Sequence, residues 1–427
     1  GKTYRRHRLM GINLPVSEMF MQFPDVLGVF PYSDNVPDSA PVEDGTQVAA
    51  IQNYLLNGQM AIVEQATSQA NGNGLDPVTA EPAPQAAVEI IDITSGLESD
   101  ALVAQMTLVN NTGHKFPSGA GFRRAFVRFE VLNDSGDVIW VSGQTNPYGG
   151  ICDGPCVKSA DGTYNLVGSE TNGGDTKKLQ PHYEVVTAQN QVQIYEVQAI
   201  DDEGQLTTST LSLFDDAKDN RLLPRGYMGP EELNCAENTG AGTTVFGIQQ
   251  CSAAYATEPM LEPLTVDSAI ATDPHYTQSE FAGSDVLVYS IPLASMSGTP
   301  ESIRVSLEYQ AIPPGFLASR FTTGHTADGF LPATERAIYL TSHLNLDLDL
   351  KSEHPDNTDV TFSQNWTTTI YQATAPVDGV VMPPQNAAVQ ITPEVGQHPD
   401  GGAGCNEVNK AFYTSGLIPF QYTGSGP

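Results

Sequence analysis

The chain has 427 residues, including 39 Gly and 30 Pro, with 16% charged residues and a formal net charge of −31 from 19 basic and 50 acidic side chains. Such a length accommodates two or three domains or one long all-β unit with appendages, and the Gly/Pro content favours a loop-rich β protein over a helical one. The acidic surplus argues against nucleic acid and anionic lipid as partners, and no apolar run approaches the ~18 residues of a membrane-spanning helix.

Residues 1–44 read as extended and Pro-punctuated. They open on Gly1-Lys2-Thr3-Tyr4-Arg5-Arg6-His7-Arg8, without the basic-then-apolar layout of a signal peptide, so the chain reads as a processed piece of a longer precursor. Val48, Ile51, Leu55, Leu56, Ile62 and Val63 recur near helical spacing and predict an amphipathic helix between Gly45 and Thr67. Asn71-Gly72-Asn73-Gly74 would end it, and Pro77, Pro82 and Pro84 would form a linker, closing an N-terminal segment at residue 84.

Strand signals follow. Val88–Ile93 and Ala101–Asn110 flank a polar turn, and Phe122–Leu132 and Val138–Val141 flank the hairpin signal Asn133-Asp134-Ser135-Gly136-Asp137. Further strands are expected at Tyr183–Val186, Val192–Ile200, Leu206–Leu213, Asp285–Pro292 and Ile303–Tyr309. The fold class expected is mainly β: an antiparallel β-sandwich over residues 85–312, with long insertions at about 145–181 and 222–283. Residues 313–427 read as a C-terminal extension with a short helix around Pro314–Phe321.

Both insertions carry cysteines. Cys152 and Cys156 flank the turn Asp153-Gly154-Pro155, while Cys235 and Cys251 enclose a Gly/Thr-rich excursion. No histidine lies close in sequence to either pair, so disulfides are favoured over zinc, and with them an oxidising compartment. Closing the Cys235–Cys251 loop would contribute roughly 3 kcal/mol. Cys405 is left over, either free or bonded to a further segment or chain.

The stretch Asn110-Asn111-Thr112-Gly113-His114-Lys115-Phe116-Pro117-Ser118-Gly119 sets one histidine in a Gly/Pro-bounded loop between two alternating segments. There the imidazole could face outward for a metal, or simply bond a carbonyl and hold the sheet edge. Arg123-Arg124 and Phe126 follow, then Gln193-Ile194-Tyr195-Glu196, Lys218-Asp219-Asn220-Arg221-Leu222-Leu223-Pro224-Arg225-Gly226, Tyr309-Gln310-Ala311-Ile312-Pro313-Pro314 and Tyr339-Leu340-Thr341-Ser342-His343-Leu344-Asn345.

In this order, across residues 85–370, these segments resemble the haem-free region C-terminal to the haem domains of secreted multihaem c-type cytochromes. The resemblance implies that residues 1–84 are a remnant or edge of a haem module, and that His114 and His7 are axial ligands to haem iron. His7, with Gly11 and Asn13 behind it, matches by position the family's distal-ligand segment. Arg123 and Arg124 would pair with haem propionates, although neighbours on a strand face opposite ways and at most one can point to the His114 loop, and surface ion pairing is the reading favoured for them. One departure matters for function. No Cys-x-x-Cys-His occurs, so no covalent haem is expected here, and any haem would belong to a neighbouring segment or cytochrome chain.

Two weaker signals remain. Asn345, Asp347 and Asp349 would share one face if their segment were a strand, a candidate calcium site or a solvated acidic edge. Asp134–Asp137 and Asp201–Gly204 lack a full calcium-loop pattern and read as hairpin turns, and Lys218–Arg221 reads as a structural polar turn. Catalytic motifs are missing: no Gly-x-Ser-x-Gly, phosphate-binding loop or His-Glu-x-x-His appears. The expectation is a non-enzymatic, extracellular or periplasmic part of a multihaem cytochrome system that positions or shields haems. The alternative is a secreted adhesion or structural module, calcium-binding or self-associating as a homo-oligomer. A secreted hydrolase would need a cleft lined by paired carboxylates.

Overall fold

A computed structural model describes residues 13–28, 86–167, 179–204, 206–209, 211–225, 227, 244–245, 248–249, 270, 273–277, 281–346, 363–364 and 366–377. His7, the Gly45–Thr67 helix, Cys235, Cys251, Cys405, Asp347 and Asp349 lie outside the described residues. In chain order the elements are α1 (Leu14–Gln22), β1 (Val88–Glu98), β2 (Ala101–Asn110), β3 (Arg124–Leu132), β4 (Val138–Ser142), β5 (Val185–Val186), β6 (Ile194–Tyr195), β7 (Val197–Ile200), β8 (Leu206–Thr207) and β9 (Asp215–Asp219). A small hairpin, β10 (Thr244–Val245) and β11 (Ile248–Gln249), precedes α2 (Pro274–Thr277), β12 (Ser284–Pro292), β13 (Ser302–Gln310) and α3 (Pro314–Thr323). The short pair β14 (His325–Thr326) and β15 (Gly329–Phe330), then α4 (Pro332–His343), β16 (Ser363–Gln364) and β17 (Thr367–Pro376) complete the set.

Two sheets form the sandwich, one ordered β1-β2-β12-β5 and the other β16-β17-β13-β3-β4, with β6 also pairing to β3. Nearly every pairing is antiparallel, the exception being β12 with β5. The fold class is therefore the mainly β, antiparallel sandwich that the alternation predicts. Leu102, Ala104, Met106 and Leu108 of β2 face Val127, Phe129 and Val131 of β3 and Val305 and Leu307 of β13 in one buried core. At its centre Phe129 stacks on Tyr289 with centroids 3.9 Å apart, and Trp140 meets Tyr289 edge-on at 6.3 Å. These rings come from both sheets and join them.

The other face of β3 is buried too. Phe126 packs there with Ile151, Val167, Val192 and Ile194, so the first insertion folds back as a second small core against the sheet. Cys152 and Cys156 are disulfide-bonded within it. Asn133–Asp137 forms the predicted turn, Asn133 Oδ1 accepting the N–H groups of Ser135 and Asp137. Asp201–Gly204 turns likewise, with Asp201 Oδ1 accepting the Glu203 N–H.

Several elements differ from the sequence reading. Residues 14–22 are helical rather than extended, because Asn13 Oδ1 accepts the Val16 N–H and Leu14, Met21 and Phe23 are drawn into buried positions. The expected strand 206–213 stops at Thr207, and Leu211 and Phe214 stand exposed beyond it. A charged run, Asp215–Asp219, pairs with β7 on the side opposite β8, with Lys218 buried against Glu196 and the Ile194 carbonyl. Residues 332–343 form a helix, and Asn345 follows it in irregular chain, its N–H bound to Gln22 Oε1. Finally, β17, from the stretch set apart as a C-terminal extension, pairs along the length of β13 and completes the second sheet.

Candidate functional site

Two histidine sites are built around the same buried segment, residues 219–223. The first is the His114 loop. Asn110, at the end of β2 and fully buried, donates from Nδ2 to the carbonyls of His114 (2.9 Å), Leu222 (3.0 Å) and Leu223 (3.1 Å). Its Oδ1 accepts the Thr112 N–H at 2.9 Å, and the Thr112 hydroxyl sits 2.8 Å from the His114 carbonyl. Phe116 and Leu222 exchange both backbone hydrogen bonds at 2.9 Å, and the Phe116–Pro117 peptide is cis. Lys115 Nζ reaches Asp219 Oδ2 at 2.8 Å. Burial alone would raise Asp219, but Arg221 and Lys115 outweigh it and hold the carboxyl below its ordinary range.

Held this way, the exposed His114 ring turns Nδ1 inward, 3.0 Å from the Lys115 carbonyl and 3.2 Å from the Thr112 hydroxyl. A carbonyl only accepts, so this bond places the ring proton on Nδ1 and leaves a lone pair on Nε2. Nε2 has no hydrogen-bond partner among the described residues.

The two arginines divide, Arg124 opening β3 and Arg123 lying in the loop just before it. Arg123 returns to the loop, its Nη1 donating to the Ser118 carbonyl at 3.1 Å. Gly119, at φ 87°, makes room, because a Cβ there would meet that Nη1 at 2.6 Å. Arg124 takes the other face, buried, with Nε donating to Gln310 Oε1 at 2.7 Å. It is a buried side chain bonded to an amide and not a surface ion pair. It also lines a cleft of about 160 Å³ with Phe122, Val197, Asp216 and Phe316, in which the two phenylalanines stack at 3.9 Å.

The second site went unmarked in the sequence reading. His182, Asp273 and Asp285 converge in the interior, with ligand-type atoms all within 4.8 Å of one another. His182 Nε2 lies 3.0 Å from Asp273 Oδ2 and 4.0 Å from Asp285 Oδ1. On the ring's other side, Gln193 Nε2 approaches Nδ1 at 2.8 Å and Asn220 Nδ2 at 3.3 Å. Both amides are fixed in orientation: Gln193 Oε1 accepts the Tyr183 N–H at 2.7 Å, and Asn220 Oδ1 accepts the Glu196 N–H at 3.0 Å. Nδ1 therefore accepts, and the imidazole proton sits on Nε2 and is donated to Asp273.

That assignment decides against a metal, although the three side chains suggest one. A cation on Nε2 would require a proton on Nδ1, facing two NH2 groups that cannot turn without orphaning buried backbone N–H groups. Asp273 is stabilised as the anion: burial would raise it, but the His182 N–H and the His275 backbone N–H hold its carboxyl below the ordinary range. Asp285 goes the other way, pushed up by burial. Its Oδ2 accepts the Tyr195 hydroxyl at 2.6 Å, while its Oδ1 has no hydrogen-bond partner. Tyr195 in turn is raised well above the usual phenol range, by burial and then by Asp285. One signal for this site stood in the sequence: Asp285 shares the inward parity of Leu287, Tyr289 and Ile291 on β12, where a carboxylate is out of place.

No family model matches the chain, and no curated protein matches it. Among solved structures, a penta-heme cytochrome c552 from Thermochromatium tepidum aligns with a TM-score of 0.29 and 13% identity, over 75% of this chain and 50% of that one. The chain thus spans about half the length of that protein, and a similarity of this size carries no argument. Among the described residues no helix is long and apolar enough to cross a membrane.

Proposed function

We propose that this chain is a haem-free, non-catalytic β-sandwich part of an extracellular or periplasmic multihaem cytochrome system, offering His114 Nε2 as an axial ligand to a haem on a neighbouring segment or cytochrome chain. The observation that carries the reading is the state of the His114 ring: Nδ1 tied to the Lys115 carbonyl at 3.0 Å, the ring exposed and Nε2 open. A backbone carbonyl on Nδ1 is how proteins orient a ligating histidine and raise its basicity. The loop resemblance supplies the metal, and the Cys152–Cys156 disulfide suits the compartment. Arg123, drawn back onto the same loop, is the better placed of the two arginines to meet a propionate there. Among the described residues that line the Arg124 cleft, Asp216 is the single carboxylate, which gives a hydrolase no acid pair there.

A haem peptide with one axial histidine and an open sixth position tests the proposal. Added to the purified chain, it should pass from a high-spin to a bis-histidine low-spin spectrum, and His114→Ala should abolish the change. An unchanged spectrum with the parent chain, or the same change with the variant, overturns the assignment.

A further inference from the structure

The buried cluster of His182, Asp273 and Asp285 joins both insertions to the sandwich. His182 lies ahead of β5 at the end of the first insertion, Asp273 opens α2 at the end of the second, and Asp285 stands on β12 in the sheet. Asn220 and Tyr276 tighten the same joint, the Tyr276 hydroxyl donating to the Asn220 carbonyl at 2.8 Å. We propose that Asp285 is a proton-operated latch: protonated, it lets the joint close around a single negative charge; ionised, it loosens the His182 segment and α2 from β12.

The geometry leaves this as the consistent proton inventory. Asp273 is the anion, receiving N–H bonds from His182 and His275. His182 offers no place for a second proton, since its Nδ1 is enclosed by the amides of Gln193 and Asn220. The His182 ring therefore cannot balance a second carboxylate as an imidazolium, and Asp285 Oδ1 has no hydrogen-bond donor. An ionised carboxylate there would sit beside another at full burial, a costly arrangement that a proton removes.

The groups facing it from each packed element are His182 on the segment before β5, Asp273, His275 and Tyr276 on and before α2, and Tyr195 on β6. Of these, His275 turns its ring away to other partners, its Nδ1 lying 3.0 Å from the Ser284 hydroxyl and 3.3 Å from the Phe281 carbonyl. Glu184 is exposed, and Arg225 passes along the backbone of Gly283 with its own side chain exposed.

The sign follows from linkage. A carboxyl raised in the native state binds its proton more tightly there than in the unfolded chain, so stability falls as pH rises from about 4, the unfolded value, through the native one. Asp285→Asn mimics the protonated acid and removes that dependence. Thermal midpoints of the full chain and the variant should agree near pH 4 and diverge by several degrees at pH 8, the variant being the more stable. In parallel, hydrogen exchange on the unmodified chain, corrected for intrinsic rate, should show segments 182–195, 273–277 and 281–285 losing protection with rising pH relative to 127–131. The exchange result decides the matter if Asp285→Asn does not fold. A midpoint difference independent of pH, or pH-invariant relative protection, overturns the latch. So does a midpoint raised by zinc, manganese or calcium in the parent chain and not in the variant, which would make the cluster a cation site.

Discussion

His114 and His182 differ chiefly in which ring nitrogen their neighbours claim. At His114 a carbonyl takes the Nδ1 proton, and Nε2 is left facing outward. At His182 two amide donors fill Nδ1, and the Nε2 proton is committed to Asp273. The first leaves a ring nitrogen open on an exposed side chain; the second is closed upon itself. Proximity of His, Asp and Asp is thus a poor guide to metal binding until the proton positions are settled.

The sharpest way to break the comparison is to delete each ring. His182→Ala leaves Asp273, Gln193 and Asn220 with lost partners in the interior and should cost about 4 kcal/mol in urea unfolding. A smaller loss, about 3 kcal/mol, is expected for Asn110→Ala, which takes the amide donor from the Leu223 carbonyl, leaves the Leu222 carbonyl with the Phe116 N–H alone and frees the His114 loop. That variant should also weaken haem-peptide binding, because the ring loses its support. His114→Ala should stay within about 0.5 kcal/mol of the parent while losing the haem-peptide spectrum. If His114→Ala were instead as damaging as His182→Ala, the loop would be structural and its exposed ring no ligand.

How much of this could be read from the chain follows from the kind of signal each part left. The long strands of the sandwich were legible because Leu102–Leu108, Val127–Val131 and Leu287–Ile291 alternate cleanly over one buried face. β17 was not: Thr367, Thr368 and Thr369 give its start little apolar contrast, and its place comes from pairing with β13 some sixty positions earlier. α4 carries no expectation in the sequence, and the alternation of Leu344 and Leu346, which suits a strand, begins only where the helix ends.

The sites divide in the same way. The His114 loop is local, so its motif held the histidine together with the Asn110 and Thr112 that fix it. The second cluster is assembled across 91 residues between His182 and Asp273, and no spacing rule reaches that far. Only the inward parity of Asp285 pointed to it.

The measurement that tests the contrast most directly is the protonation pattern of the two rings, read from long-range nitrogen–proton couplings in histidine-labelled protein at neutral pH. His114 should carry its proton on Nδ1 and His182 on Nε2. A proton on Nε2 of His114, or on Nδ1 of His182, would contradict the account.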